Sequence, residues 1–128
     1  MKPLSSSIQA ALVVLASLAT CSTAFAQQGD AQRGKALYTN QCMACHAADI
    51  SLAGPMHRGV FGRQSGAVPD YAYSPALLKL KVKWTQRNLD QWLRDPNRMA
   101  PGNRMGYSVA DAQQRLDIIA YLQTLKAQ

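Results

Sequence analysis

Cysteine, histidine and acidic residues are all scarce in this chain. Its 128 residues include 3 cysteines, 2 histidines and 7 acidic residues, against 14 basic ones. A structural zinc site needs about four Cys, His or carboxylate ligands, and no second pair of cysteines follows Cys42 and Cys45. Because His57 is the only histidine besides His46, the sequence does not favour zinc.

The shortage of acidic residues leaves a formal net charge of +7. Seven basic and only two acidic residues fall between Lys79 and Arg104, spread through helical and turn segments rather than gathered in a polybasic run. This pattern does not favour nucleic acid or an anionic membrane surface, and it predicts a partner protein with an acidic surface. Charge reversal at Arg98 or Arg104 is expected to weaken that docking more than reversal at Arg115.

No apolar run is long enough to span a membrane, which takes about 20 residues. Lys2 precedes a shorter apolar run, residues 8–18, which ends in small residues before Ala24-Phe25-Ala26. These are the three parts of a secretory signal, and they predict cleavage after Ala26. We therefore expect a signal peptide over residues 1–26, one domain over residues 27–128, and a periplasmic protein without stable membrane insertion.

Two other fates of the N-terminus remain open. Leu18-Ala19-Thr20-Cys21 resembles a lipoprotein cleavage box, although Thr20 stands where such boxes have Gly or Ala, and the segment could also stay as an uncleaved anchor. After cleavage at Ala26, Cys42 and Cys45 are the only cysteines left. No disulfide is then expected in the mature domain.

The alternation of apolar and polar residues that marks a strand is also missing, so the predicted fold class is all-α. Four helices are indicated, with these limits: Asp30 to Cys45, Ser74 to Leu80, Thr85 to Asp95, and Ser108 to Leu125. The first should carry both thiols of the Cys pair on its last turn, and the last should open with a capping box at Ser108 and Asp111. Gly34 costs about 1 kcal/mol relative to Ala inside a helix, which indicates that another helix approaches closely there.

Residues 47–70 are rich in Gly, Pro and Ser and show no periodicity. A long structureless loop is unusual in so small a domain unless it lies against something. We expect this segment to wrap around the edge of a flat cofactor.

The most informative segment is Cys42-Met43-Ala44-Cys45-His46. The spacing Cys-x-x-Cys-His is that of a c-type haem attachment site. Each thiol can form a thioether to one vinyl group of the porphyrin, and His46 can then bind the iron. A thioredoxin-like redox pair would follow a strand, whereas the residues before Cys42 have a helical pattern. The sequence therefore predicts one covalent haem c.

A second axial ligand, if the iron has one, is expected from the irregular segment between the last two helices, where Met99 and Met105 lie. Met43 is inside the attachment motif, and Met56 is on the side expected to support His46. Neither of these two is therefore favoured.

Together the motifs resemble those of the class I cytochromes c. They cover nearly all of residues 29–126 in the family's order, and the most specific are the haem motif and Pro101-Gly102-Asn103-Arg104-Met105. The others are Gly34, Gly54-Pro55, Phe61-Gly62-Arg63, Tyr73, Trp84 and Ile119-Ala120-Tyr121-Leu122. The resemblance implies the cytochrome c fold, about four helices around one haem, with the first and last helices crossing near Gly34 and Tyr121.

The resemblance also implies individual roles at the haem. Met105 is the distal ligand opposite His46, and Pro55 supports His46 by accepting its other ring N–H. Charged and N–H or O–H donors are what a buried carboxylate needs. Three side chains supply them to the haem propionates: Arg63, Tyr73 and Trp84.

Several positions depart from the family pattern. The loop after the haem motif is short and lacks the usual lysines, and Gln41 stands where lysine is common, so the docking surface differs. Leu77 and Trp92 replace an Asn and a Tyr of a polar network near the methionine, which predicts a more apolar site. Asn103 stands in place of a Thr.

The resemblance implies outer-sphere electron transfer without a bound substrate, and hence a carrier rather than an enzyme. We expect a monomer that diffuses between a quinol-oxidising complex and a terminal oxidase or reductase. Two alternatives remain open. One is a dedicated electron-accepting subunit of a periplasmic dehydrogenase; the other is a haem enzyme or gas sensor, such as a peroxidase, with an open or labile sixth position. The latter usually needs a distal acid or base, and no residue offers itself strongly.

Overall fold

The structure is a computed structural model and describes residues 27–128. Within this range it has five helices, no strand, and one isolated antiparallel bridge between Gln64 and Lys83. The helices are α1 (Ala31–Gln41), α2 (Pro75–Leu80), α3 (Gln86–Arg94), α4 (Pro96–Met99) and α5 (Ala112–Thr124). The predicted all-α fold class is confirmed. The predicted signal peptide and its cleavage after Ala26 lie outside the described residues.

The first three helices begin where the sequence indicated. Asp30, Ser74 and Thr85 are their N-caps, and each side-chain oxygen accepts the backbone N–H of the residue three positions further on. Such a cap satisfies one of the N–H groups that lack a partner in the first turn, and it contributes about 1 kcal/mol.

The predicted number of helices is one too low, because the chain forms a single helical turn, α4, directly after α3. Asp95 ends α3 and also caps α4, where its side chain accepts the backbone N–H of Arg98 at 3.1 Å. Pro96 can occupy the first position of α4 because that position needs no N–H donor.

The predicted capping box at Ser108 is wrong, since α5 begins three residues later with Asp111 as its N-cap. The backbone before Asp111 is used in tertiary contacts instead. The N–H of Val109 donates to the carbonyl oxygen of Leu93 at 2.7 Å, and the carbonyl oxygen of Val109 accepts from the guanidinium of Arg115 at 2.9 Å. These bonds hold the loop between α4 and α5, here called the Met105 loop, against α3 and α5.

Helices α1 and α5 cross at Gly34, which confirms the predicted close approach. A Cβ atom at Gly34 would lie 1.8 Å from the carbonyl oxygen of Asp117 and 3.0 Å from Cβ of Tyr121. The Asp117 carboxylate is buried at the same crossing. It accepts the backbone N–H of Asp30 at 2.7 Å and Nε of Arg33 at 2.9 Å.

One hydrophobic core lies between α1, α3 and α5. Its buried members on these helices are Tyr38, Leu89, Trp92, Leu93, Ile118, Ile119 and Leu122. Fully burying one such aliphatic side chain contributes about 1.5–3 kcal/mol. Among residues 27–128, no helix has the length and apolar character needed to cross a membrane.

The Gly- and Pro-rich segment, residues 47–70, is tied to the rest of the molecule by several hydrogen bonds, two of which connect it to the ends of helices. The N–H of Gly59 donates to the carbonyl oxygen of Leu125 at 2.7 Å, just past α5. The N–H of Gly62 donates to the carbonyl oxygen of Trp84 at 2.9 Å, just before α3. The segment is therefore an anchored loop.

Candidate functional site

The two thiols of the Cys-x-x-Cys-His segment lie in a turn that follows α1, rather than on its last helical turn as predicted. Cys42 is the C-cap of α1, and its carbonyl oxygen accepts the N–H groups of Cys45 at 3.1 Å and His46 at 2.9 Å. Cys42 is half-buried and Cys45 is exposed. Burial raises the pKa of the Cys42 thiol to about 11. The turn brings both thiols and the imidazole into one short segment.

The ring of His46 is oriented by the loop that follows the turn. Its Nδ1 lies 2.8 Å from the carbonyl oxygen of Pro55, so Nε2 is the nitrogen left to bind a metal. The backbone of Gly54 lies against the ring, since a Cβ there would be 2.2 Å from Cε1. Burial lowers the pKa of His46, although the Pro55 carbonyl opposes this. The imidazole is thus neutral at pH 7, as a metal ligand must be.

The second histidine, His57, also belongs to this site, and the sequence reasoning missed it. Its ring stacks on that of His46 with centroids 4.1 Å apart and planes inclined by 18°. Its Nδ1 lies 2.9 Å from the hydroxyl of Tyr38. Burial lowers the pKa of His57 well below its usual range, and the neighbouring His46 and the charge of Arg63 act in the same direction. The only available signal was a second histidine within the loop after the motif.

Arg63 and Trp84, both predicted to contact propionates, are brought together by backbone hydrogen bonding. The N–H of Trp84 donates to the carbonyl oxygen of Arg63 at 2.9 Å. Two guanidinium nitrogens of Arg63 donate to the carbonyl oxygens of Arg58 and Met56, at 2.8 and 2.9 Å. Its Nε, however, is buried and has no acceptor among the described residues. An unpaired buried donor is costly, so this N–H fits an acceptor such as a carboxylate.

Tyr73, the third predicted propionate contact, lies close to Arg63: burial raises the pKa of Tyr73 and lowers that of Arg63, and each side chain partly offsets the shift of the other. Its hydroxyl oxygen accepts the backbone N–H of Val68 at 3.2 Å. A hydroxyl that accepts one bond still has its own proton to donate. Tyr73 can therefore donate to a second acceptor beside Arg63.

The sulfur of Met105 is half-buried against the same core that Cys42 contacts. The loop around it is fixed by Asn103, whose side-chain oxygen accepts the N–H of Met105 at 2.7 Å. The Asn103 side-chain nitrogen donates to the carbonyl oxygen of Ala100 at 2.9 Å. Met99, the other methionine considered, ends α4 and packs against the core.

Trp92 does not make the methionine environment as apolar as the sequence predicted. Its indole Nε1 lies 3.0 Å from the sulfur of Met105 and donates to it. The expectation went wrong because replacing a phenol by an indole keeps one polar hydrogen at the end of the ring. Leu77, the other replacement, packs against the core as an apolar side chain.

Comparison with known proteins identifies the family to which the chain is similar. The family model described as "Cytochrome c" matches residues 31–126. The chain is 44% identical over 105 residues to cytochrome c2 of Rhodopila globiformis, covering 79% of this chain and 98% of that protein. It is 42% identical over 101 residues to cytochrome c of Euglena viridis, covering 77% and 99%. The solved structure of cytochrome cH from Methylobacterium extorquens superimposes with a TM-score of 0.72 at 40% identity, covering 75% of this chain and 99% of that one.

The Cys-x-x-Cys-His turn in this helical fold is typical of proteins with covalently attached haem. The chain belongs to the class I cytochrome c family. It is an electron-carrier cytochrome with one covalently bound haem c. The observed residues fit this cofactor: two thiols at thioether spacing, an imidazole with a free Nε2, and the unpaired Nε of Arg63.

Proposed function

We propose that this chain is a periplasmic one-electron carrier in which Cys42 and Cys45 attach the haem and His46 and Met105 bind its iron. The observation that carries the proposal is the anchored ring of His46. Its Nδ1 is held 2.8 Å from the carbonyl oxygen of Pro55, directly after two thiols at thioether spacing. A covalent attachment beside a fixed imidazole supports a haem that keeps its ligand in both oxidation states.

Met105 is proposed as the second ligand because its backbone and its sulfur are both held in place. Asn103 fixes the N–H of Met105, and Trp92 donates to the sulfur. The haem iron supplies reversible one-electron chemistry when bound, and a thioether ligand gives it a higher reduction potential than a second imidazole would. With both ligands fixed by the protein, little structural change should accompany electron transfer.

Arg63, Tyr73 and Trp84 are proposed to hold the propionates. The buried Nε–H of Arg63 and the hydroxyl proton of Tyr73 are donors that a carboxylate can accept. Trp84 is 7% exposed and paired with Arg63 through the backbone, and its indole N–H is a third donor that a carboxylate can accept. A buried carboxylate needs such donors to offset its lost hydration.

We propose that the protein is exported after cleavage behind Ala26 and that it meets partners with acidic surfaces in the periplasm. All seven basic residues between Lys79 and Arg104 are exposed, and only two acidic residues lie in that stretch. A net positive surface speeds encounters with a negative partner. A quinol-oxidising complex as donor and a terminal oxidase or reductase as acceptor fit these requirements.

Absorption spectra and the intact mass of protein purified from the periplasmic fraction test the proposal. We expect one haem that stays on the protein after acid–acetone extraction, a mass starting at Gln27, and a weak near-infrared sulfur-to-iron band in the oxidised form. Extractable pigment would contradict attachment at Cys42 and Cys45. Carbon monoxide binding by the unmutated ferrous protein would favour a haem enzyme or sensor, and stable co-purification with a dehydrogenase would favour a dedicated subunit.

A further inference from the structure

Three aromatic rings lie in a row behind the Cys-x-x-Cys-His turn: His57 stacks on His46, and Tyr38 meets His57 edge-on, with planes inclined by 63°. The centroids of His46 and His57 are 4.1 Å apart, and those of His57 and Tyr38 are 5.5 Å apart. The hydroxyl of Tyr38 lies 2.9 Å from Nδ1 of His57. We call these two side chains the Tyr38–His57 pair.

The hydrogen bond to Pro55 does not by itself fix the plane of the His46 ring. It holds Nδ1 at 2.8 Å from the carbonyl oxygen, and the Gly54 backbone lies against the ring near Cε1, but the geometric tolerance of a hydrogen bond still allows some rotation about Cβ–Cγ. The face of His57 lies nearly parallel to His46, at 18°. A flat neighbour at this distance opposes tilting because any rotation brings ring atoms into overlap.

The position of His57 is itself fixed by Tyr38. Tyr38 is 3% exposed, lies in the core, and packs against Tyr121 with ring centroids 5.1 Å apart. Placing a polar imidazole here costs free energy unless it is hydrogen-bonded, and the Tyr38 hydroxyl provides that bond. An aliphatic side chain could fill the same space, but it would have neither a flat face nor a bond that sets the direction of that face.

We propose that His57 is a positioning residue for the axial imidazole: the Tyr38–His57 pair sets the angle of the His46 ring plane relative to the haem. This inference rests on the proposed binding of iron by His46. In a low-spin ferric haem, the orientation of the axial imidazole plane determines the g-values of the electron paramagnetic resonance spectrum. It also determines the order of the haem methyl shifts in the proton magnetic resonance spectrum.

Three variants of the haem-loaded protein test the proposal: His57→Leu removes the flat face and the bond, His57→Phe keeps a face without the bond, and Tyr38→Phe removes only the hydroxyl. We expect His57→Leu to shift the g-values and reorder the haem methyl shifts. Tyr38→Phe and His57→Phe should give smaller shifts in the same direction. The near-infrared sulfur-to-iron band should remain in all three, because the hydrogen bonds that hold Met105 come from Asn103 and Trp92 and are not altered.

Unchanged g-values and methyl shifts in His57→Leu and Tyr38→Phe would overturn the proposal. If His57→Leu fails to fold or to load haem, Tyr38→Phe alone decides, because it is isosteric and leaves the imidazole in place. Failure of the proposed function would look different: the unmutated protein itself would then lack a low-spin ferric spectrum with the sulfur-to-iron band.

Discussion

The sulfur of Met105 has two lone pairs, and the Trp92 indole N–H occupies one of them at 3.0 Å. The other remains for the iron. We predict that Met105→Ala abolishes the near-infrared sulfur-to-iron band, lowers the reduction potential, and lets carbon monoxide bind to the ferrous protein. Absorption spectroscopy and redox titration measure all three effects. An unchanged spectrum and potential would show that the distal ligand is another residue.

Met99 provides the matched control for Met105. It packs against the core from the end of α4. Met99→Ala should keep the sulfur-to-iron band and lower the free energy of unfolding by about 2 kcal/mol, the lower end of the cost of such a truncation in a core. If this variant loses the band while circular dichroism shows that it is folded, Met99 rather than Met105 is the distal ligand.

Trp92 should tune the iron through the Met105 sulfur. A donor on the sulfur withdraws electron density from it, which makes it a poorer ligand for ferric than for ferrous iron. We predict that Trp92→Phe lowers the reduction potential by up to about 60 mV, the one-electron equivalent of a hydrogen bond contributing roughly 0.5–1.5 kcal/mol. Redox titration measures this. A raised potential would mean that the indole N–H does not act on the sulfur.

At the scale of the helices, the α1–α5 crossing contains the most strongly perturbed carboxylate. The Arg33 side chain, the Asp30 N–H and Gln113 all donate to Asp117, and they lower its pKa to about 2 despite its burial. An unfolded Asp has a pKa of about 3.9. Because the folded pKa is the lower one, the stabilisation is fully present above pH 4 and is lost as the pH falls from about 4 to about 2.

Asp117→Asn tests this contribution. We predict that it lowers the free energy of unfolding at pH 7 by about 1.5–3 kcal/mol, the usual range for hydrogen bonds to a charged group. The difference from the unmutated protein should shrink between pH 4 and pH 2, as measured by denaturant titration. A difference that is constant over this range would show that the ionised form of Asp117 adds nothing.

The helices also show which features follow from local sequence. The limits of α3 were predicted correctly from Thr85 and the Asp95-Pro96 pair. Helix capping and the steric effect of proline act between residues that are close in sequence. The start of α5 was missed because Arg115 binds the carbonyl oxygen of Val109, a contact that exists only after folding. His57 was missed for the same reason: its role depends on a loop that returns to His46, and no helical or strand period relates the two positions.

At the scale of the whole molecule, the exposed basic residues should govern association with partners. We predict that the bimolecular rate of electron transfer with an acidic partner falls several-fold between low and physiological ionic strength, where the Debye length is about 8 Å. Arg98→Glu should slow it further. Lys35→Glu, an exposed site on α1, is the control and should change it less. A rate that is flat or rises with salt would contradict electrostatic docking.

Charge reversal at Arg98 tests electrostatic docking more cleanly than reversal at Arg104 or Arg115, the other two arginines named from the sequence. Nη1 of Arg104 donates to the carbonyl oxygen of Ala72 at 2.9 Å, so its reversal would also disturb the Met105 loop. Arg115 is 3% exposed and paired with Asp90 at 2.7 Å. Its reversal would bury a repulsive pair and destabilise the fold, so it cannot serve as the surface control.

The α1–α5 crossing joins residues at opposite ends of the chain, with Asp30 and Asp117 separated by 87 positions. Synthesis proceeds from the N-terminus, so α1 is made before its partner α5. Before α5 is made, it cannot pack on the Gly34 face of α1. The Cys42–His46 turn, which follows α1, is then part of an incompletely folded chain. The haem can therefore be attached at Cys42 and Cys45 while the chain is still open, before the last helix closes the fold over it.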